Sequence, residues 1–210
     1  MYTVKEIYYT IQGEGFHAGR AAVFVRFTGC NLWSGHEKDR KNAICNFCDT
    51  DFIGTDGPGG GKFRTAVELS EKNVSKWPSN STKNKFVVFT GGEPLLQLDQ
   101  NLVKALHLKN FEIAVETNGT IQSPKNIDWI CVSPKAGRDL QITKGNELKL
   151  VYPQSGVDPV QYEKLKFDYF SLQPMHNKEI KENTQKAIKY CHEHPLWRLS
   201  LQTHKFIGIP

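Results

Sequence analysis

The chain has no apolar run near the ~20 residues that a membrane-spanning helix requires, so no membrane span is expected. Its opening, Met1-Tyr-Thr-Val-Lys5, lacks the basic-then-apolar pattern of a secretion signal, and a cytoplasmic protein is expected. One-sided charge is missing too. The net charge of +5 comes from dispersed basic residues, which permits anionic small molecules and gives little reason to expect nucleic acid. No repeat, low-complexity tail or dividing linker interrupts the 210 residues, and a single domain over 1–210 is expected. The glycine-rich stretch Gly54–Lys62 lacks the strand-to-helix context and the GK[ST] ending of a phosphate loop.

Cysteine is scarce, and the count of five is odd. Cys131 and Cys191 lie far apart in apolar surroundings, which argues against a disulfide framework, and Cys131 reads as a small buried hydrophobe. The other three form C-x14-C-x2-C at Cys30, Cys45 and Cys48, with Phe47 directly before the last. Iron–sulfur cubanes usually take four thiolates, so a set of three leaves one iron open to something that is not protein. Zinc is the competing metal, with His36 inside the loop as a fourth ligand, and the spacing alone leaves the choice open.

Short β-rich runs alternate with amphipathic stretches. Strands are expected at Lys5–Thr10, Ala22–Thr28, Phe86–Thr90, Glu112–Thr117, Trp129–Ser133, Leu148–Tyr152, Phe170–Gln173 and Leu199–Gln202. Helices are expected at Ala66–Lys76, Gln100–Leu108, Val160–Leu165 and Lys178–His194. Phe86-Val-Val-Phe89 is continuously apolar, as strands covered on both faces are. The alternation predicts an α/β fold with a parallel sheet, open or curved into a barrel. Polar motifs follow five of the strands: Thr90-Gly-Gly, Glu116-Thr-Asn-Gly119, Ser133-Pro-Lys135, Gln173-Pro-Met-His176 and Gln202-Thr-His204. Chemistry in such folds collects at the carboxyl ends of strands, so these motifs predict one composite site.

Thr90-Gly-Gly-Glu-Pro94 shifts the balance on the metal. Two glycines after a buried strand let backbone approach a ligand, and Glu93 suits an ammonium group; a plain strand-to-helix turn is the bland alternative. A three-cysteine set with a later G-G-E-P resembles the radical S-adenosylmethionine superfamily. Gln12-Gly-Glu-Gly15, Arg26-Phe-Thr-Gly-Cys30-Asn-Leu, Cys48-Asp-Thr50, Glu116-Thr-Asn-Gly119, Ser133-Pro-Lys135 and Thr203-His-Lys-Phe-Ile-Gly-Ile-Pro210 narrow this to a resemblance to the 7-carboxy-7-deazaguanine synthase family. It runs from the first strand to the last residue. The gap between the first two cysteines departs from the superfamily's usual C-x3-C-x2-C and resembles a long-loop subset of that family, with an insertion at about 31–44.

The resemblance implies a partial (β/α) barrel with a reduced helical layer. It implies a lyase that contracts 6-carboxy-5,6,7,8-tetrahydropterin to 7-carboxy-7-deazaguanine with loss of ammonia, on the way to queuosine and related deazapurines. The implied cofactors are a [4Fe-4S] cluster on Cys30, Cys45 and Cys48, S-adenosylmethionine, and Mg2+ on Thr50. A 5′-deoxyadenosyl radical would take hydrogen from C6 of the pterin and the hydrogen would later be returned. By matched position, Ile11, Gln12, Gly13, Glu14, Arg26, Thr90, Glu116, His204 and Pro210 would face the pterin. Arg26 would pair the substrate carboxylate through its planar fork. Phe47, Gly92, Glu93, Ser133, Pro134, Lys135, Gln173, Pro174, Met175 and His176 would hold S-adenosylmethionine. Family membership also implies a homodimer and an electron donor such as flavodoxin or ferredoxin. For the Ser34–Ile44 excursion, a reductant-docking surface is the expectation.

Overall fold

The computed structural model describes residues 1–78 and 81–210. Nine strands form one sheet: β1 (Tyr2–Ile11), β2 (Ala21–Phe27), β3 (Gly61–Phe63), β4 (Phe86–Gly91), β5 (Glu112–Thr117), β6 (Trp129–Val132), β7 (Lys144–Tyr152), β8 (Lys166–Pro174) and β9 (Trp197–Leu199). Their order is β3-β1-β2-β4-β5-β6-β7-β8-β9. β1 runs antiparallel to β2 and β3, and every neighbouring pair from β2 onward is parallel.

Among the described residues four α-helices accompany the sheet: α1 (Ala66–Lys76), α2 (Gln100–His107), α3 (Ile180–Glu193) and the short α4 (Thr203–Ile207). Thr65 caps α1 by accepting from the Glu68 N–H, and Asp99 caps α2 by accepting from the Leu102 N–H. The passages from β5 to β6 and from β6 to β7 carry no helix among the described residues, so the helical layer is thinner than in a full (β/α) barrel. No helix is long and apolar enough to cross a membrane among the described residues.

Alternation along each strand divides the sheet into two faces. Val87 and Phe89 point outward with Val23, Val25, Ile113, Val115, Leu148 and Leu150, against Leu69, Leu102, Leu106 and Ala187 of the helices. Phe86 and Val88 belong to a smaller inner cluster with Ala22, Phe24 and Ala114. Both faces of β4 are therefore covered, as its unbroken apolar run predicts. Past this inner cluster the same face turns polar, presenting Arg26 beside Thr90 in register. Glu116 pairs Cys131, Cys131 pairs Glu147, and Lys149 pairs Ser171.

The sheet curls around this face. β1 and β9 stand seven places apart in the strand order, yet the segment leaving β1 reaches the segment leaving β9. The Gly15 N–H donates to Ser200 Oγ at 2.8 Å, and the Thr203 N–H donates to the Gly13 carbonyl at 2.9 Å. Residues 12–20 thus bridge the open side of a partial barrel.

Two expectations change. The stretch Val160–Leu165 contains only a 3-10 turn, Pro159–Tyr162, because Asp158 caps it and too few residues follow before β8. The strand expected at Leu199–Gln202 lies at Trp197–Leu199, and Thr203 already begins α4. The glycine-rich stretch contributes β3 and packs on β1: a Cβ at Gly60 would lie 2.1 Å from the Lys5 carbonyl, so close backbone contact explains that glycine.

Phe89 is fully buried and stacks on Phe27 at 5.6 Å between centroids. Phe89→Ala is expected to destabilise the chain by roughly 3–5 kcal/mol, read from urea unfolding of the full-length protein. A loss below about 1 kcal/mol would show that the outer face is not the core.

Candidate active site

Two cavities open on the polar inner face and share a wall. One, of about 160 Å3, is lined by Cys30, Cys45, Phe47, Cys48, Gly92, Ser133, Lys135, Met175 and His176 among others. Its neighbour, of about 430 Å3, is lined by all nine residues expected to face a pterin: Ile11, Gln12, Gly13, Glu14, Arg26, Thr90, Glu116, His204 and Pro210. Glu14, Asp49, Thr50, Thr90 and Glu116 line both.

In the smaller cavity, Cys30 follows β2, and the Leu32 carbonyl accepts from the N–H groups of Ile44 and Cys45 at 3.1 and 3.4 Å. That closure folds the long gap between the first two cysteines back on itself. The neighbouring thiols of Cys45 and Cys48 interact, which lowers Cys48 against the effect of burial and raises Cys45. Burial pushes Cys30 up. Among the described residues no group of three or more His, Cys, Asp or Glu converges to hold one metal ion. His36, the fourth ligand of the zinc alternative, is exposed and is not part of the cavity wall. Three thiols lining one cavity, with no fourth cysteine in its wall, fit a cluster with an open iron.

Not every residue expected near S-adenosylmethionine reaches the cavity. Glu93 is fully buried and accepts from the Leu95 N–H at 2.9 Å, Thr117 Oγ1 at 2.7 Å and the Asn118 N–H at 2.8 Å. Its side chain ties the turn after β4 to the end of β5 and is not part of the cavity wall, while Gly92 before it is. A Cβ at Gly92 would lie 2.2 Å from the Gly29 carbonyl, so the turn needs glycine there. Pro134, Gln173 and Pro174 sit behind the wall. Gln173 pairs with the lining residue Val151, and its Oε1 is a buried acceptor with no partner among the described residues. Lys135 Nζ donates to Ser133 O and Oγ, each at 2.7 Å.

The larger cavity is organised by a residue the sequence motifs did not flag. Lys149 is 4% exposed, and its Nζ lies 2.7 Å from Glu14 Oε2 and 3.0 Å from Glu116 Oε2. Gln12 Nε2 donates to Glu116 Oε1 at 2.8 Å, and Gln202 Nε2 donates to Glu14 Oε1 at 2.8 Å. Burial acts to raise Glu14, but Lys149 and Gln202 outweigh it and hold the carboxyl at about 2. Burial likewise opposes the charge on Lys149, and Glu116 and Glu14 overcome it, so its pKa lies well above the ordinary value. The available signal was the alternation Glu147-Leu-Lys-Leu-Val151: Leu148 and Leu150 face the core, which turns Glu147 and Lys149 inward.

Arg26 donates from Nε to Glu6 at 2.8 Å and from Nη2 to Tyr8 Oη at 3.1 Å. Burial works against its charge; Tyr8 and Glu6 more than compensate, so Arg26 stays cationic. Its other N–H groups have no protein partner among the described residues. The carboxyl-terminal segment folds back over the same cavity. Thr10 Oγ1 donates to the Pro210 carbonyl at 3.0 Å, and Lys205 pairs Asp49 at 2.6 Å. A Cβ at Gly13 would lie 2.2 Å from His204 Nδ1, so only glycine lets His204 close on that backbone. Burial lowers the pKa of His204 and favours a neutral ring.

A 7-carboxy-7-deazaguanine synthase from Bradyrhizobium diazoefficiens is 60% identical over 208 residues, covering 99% of each chain. One from Burkholderia multivorans is 58% identical over 209 residues, covering 100% of this chain and 99% of the relative. The chain belongs to the 7-carboxy-7-deazaguanine synthase family. The crystal structure of QueE from Escherichia coli superposes with a TM-score of 0.64, covering 97% of this chain and 94% of that one. At 23% identity it shows the shared fold: mixed α/β with a mostly parallel sheet. No protein-family model matches the chain. A family member brings a [4Fe-4S] cluster and S-adenosylmethionine to its reaction, and the open three-thiol cavity fits that pair.

Glu14 sits far below its ordinary 4.5, so its ion pair adds stability above that value and loses it as the pH falls toward 2. Lys149→Met leaves Glu14 and Glu116 buried together without a cation. The expected loss is roughly 3–5 kcal/mol at pH 8, narrowing at pH 5 where one of the two carboxyls takes a proton in the folded state. Urea unfolding at the two pH values checks this, and an equal loss at both would contradict it.

Proposed function

We propose that this chain is a radical S-adenosylmethionine lyase that converts 6-carboxy-5,6,7,8-tetrahydropterin to 7-carboxy-7-deazaguanine with release of ammonia, in deazapurine and queuosine biosynthesis. The observation that carries this reading is the shared wall. A cavity ringed by three cysteines opens onto a cleft with an arginine at one side and two glutamates paired with Lys149 at another. When bound, the cluster and S-adenosylmethionine supply one-electron chemistry and hydrogen abstraction.

The protein's own residues position and enclose. In this reading Cys30, Cys45 and Cys48 hold the cluster, with Phe47, Gly92, Ser133, Lys135, Met175 and His176 around S-adenosylmethionine. The free N–H groups of Arg26 pair the substrate carboxylate. Glu14 and Glu116 accept from the N–H donors of the pterin, which suits carboxylates oriented by Lys149. Thr90, in register beside Arg26, contacts the same ring. Neutral His204 and the Ile209–Pro210 end close the cleft against water.

Thr50 is assigned to Mg2+. It lines both cavities, while its acidic neighbours are engaged elsewhere: Asp49 pairs Lys205 at 2.6 Å and Asp51 pairs Lys5 at 2.8 Å. Few protein oxygens with substrate and water completing the shell is an ordinary magnesium arrangement. The same reading takes residues 1–210 as one radical S-adenosylmethionine domain of the long-loop subtype. It works as a cytoplasmic homodimer reduced by a flavodoxin- or ferredoxin-like protein.

Anaerobically reconstituted protein, supplied with a reductant, S-adenosylmethionine and the tetrahydropterin, is expected to form 7-carboxy-7-deazaguanine and ammonia. Cleavage of S-adenosylmethionine with the pterin untouched would point to a radical enzyme of another substrate class. Deleting Ile209 and Pro210 is expected to slow turnover roughly 10- to 100-fold with iron and sulfide content unchanged. Wild-type turnover by the truncated chain would remove the tail from the site.

A further inference from the structure

The Ser34–Ile44 excursion is charged and mostly exposed, and the reaction described above makes no use of it. One of its residues faces inward. Arg40, on the 3-10 turn Glu37–Asn42, has a side chain only 29% exposed, against 78% for Glu37. Its Nη1 donates to the carbonyls of Asn46 and Cys48, each at 3.0 Å. Its guanidinium carbon sits 4.1 Å from the centroid of the Trp33 ring. Its Nε is held by Glu37 at 2.7 Å.

These contacts are anchored below. Trp33 is 7% exposed, packs edge-on against Phe52 at 5.5 Å, and donates from Nε1 to the His36 carbonyl at 3.2 Å. Ser34 Oγ donates to Asp39 at 2.6 Å, so the excursion is a compact loop with its own internal bonds. The two carbonyls that Arg40 binds flank Phe47, and one belongs to Cys48 itself. Fixing both sets the backbone of the turn that carries the third thiol.

We propose that Arg40 is a positioning residue for the cluster: it braces the Asn46–Cys48 turn from the tip of the excursion and holds Cys48 and Phe47 in place. Two carbonyls and an aromatic face at once require a planar fork, which lysine lacks. This rests on the reading that the three cysteines hold an iron–sulfur cluster. It assigns the excursion a role inside the chain, in place of the reductant-docking surface expected from sequence.

The test compares reconstituted wild type, Arg40→Lys and Arg40→Met, with Lys38→Met and Lys41→Met as controls for charge loss at exposed positions of the same loop. The readout is the rate of iron release to an excess of a ferrous chelator under anaerobic conditions, together with amide hydrogen exchange over residues 45–48. Arg40→Met is expected to release iron about tenfold faster or more, with faster exchange at those amides. Arg40→Lys is expected to fall nearer Arg40→Met than wild type, and both controls to match wild type. Wild-type iron retention in Arg40→Met, with or without slower reduction by a protein donor, would overturn the proposal. Equal acceleration in the controls would also overturn it, since charge alone would then be the cause. Failure of the wild type to take up iron would instead overturn the cluster reading on which the proposal stands.

Discussion

The buried ammonium of Lys149 is the interaction on which the site depends. It joins three pieces of chain distant in sequence: the loop after β1 through Glu14, the end of β5 through Glu116, and β7 itself. Gln12 and Gln202 extend the joint to the segment after β9. A lone buried ammonium would be untenable, and two adjacent buried carboxylates would share a proton. Each charge is tolerated only because the others are present. The arrangement presents ionised oxygen atoms to a cleft without surrendering them to water.

The rest of the cleft follows from this fixed centre. Residues 12–20 cross the concave face because Glu14 is anchored there, and Gly13 and Gly15 then meet Thr203 and Ser200. That contact draws the carboxyl-terminal segment over the opening and brings Pro210 to Thr10. The cysteine cavity lies on the far side of the shared wall, so a cofactor bound there and a substrate held by Arg26 would meet across Thr90 and Glu116. Glu93 secures the same wall from behind by tying the β4 turn to Thr117 and Asn118.

Much of this was legible in the sequence where local rules operate. Phe86-Val-Val-Phe89 announced a strand covered on both faces, and α1 lies where its pattern put it. All nine positions matched to the pterin lie around one cleft, because their motifs sit at strand ends that the fold gathers. Lys149 was legible only in part: the alternation turns it away from the leucine face, and only curvature of the sheet makes that side the interior. Glu93 has a structural tie that its motif does not announce. A carboxylate after two glycines suits a ligand, and three internal donors also bind it and tie β4 to β5. Arg40 was hidden among like-charged neighbours, and only the folding back of its loop distinguishes it from Lys38 and Lys41.

In the proposed function the missing fourth thiol is an opening, where an iron is left for S-adenosylmethionine. Electron paramagnetic resonance of the chemically reduced, anaerobically reconstituted protein addresses this directly, recorded before and after S-adenosylmethionine is added. The account predicts a [4Fe-4S] signal, with about four iron and four sulfide per chain, whose shape shifts when the cofactor ligates the open iron. A spectrum that S-adenosylmethionine leaves unchanged, or a protein that takes up zinc and no iron, would contradict it.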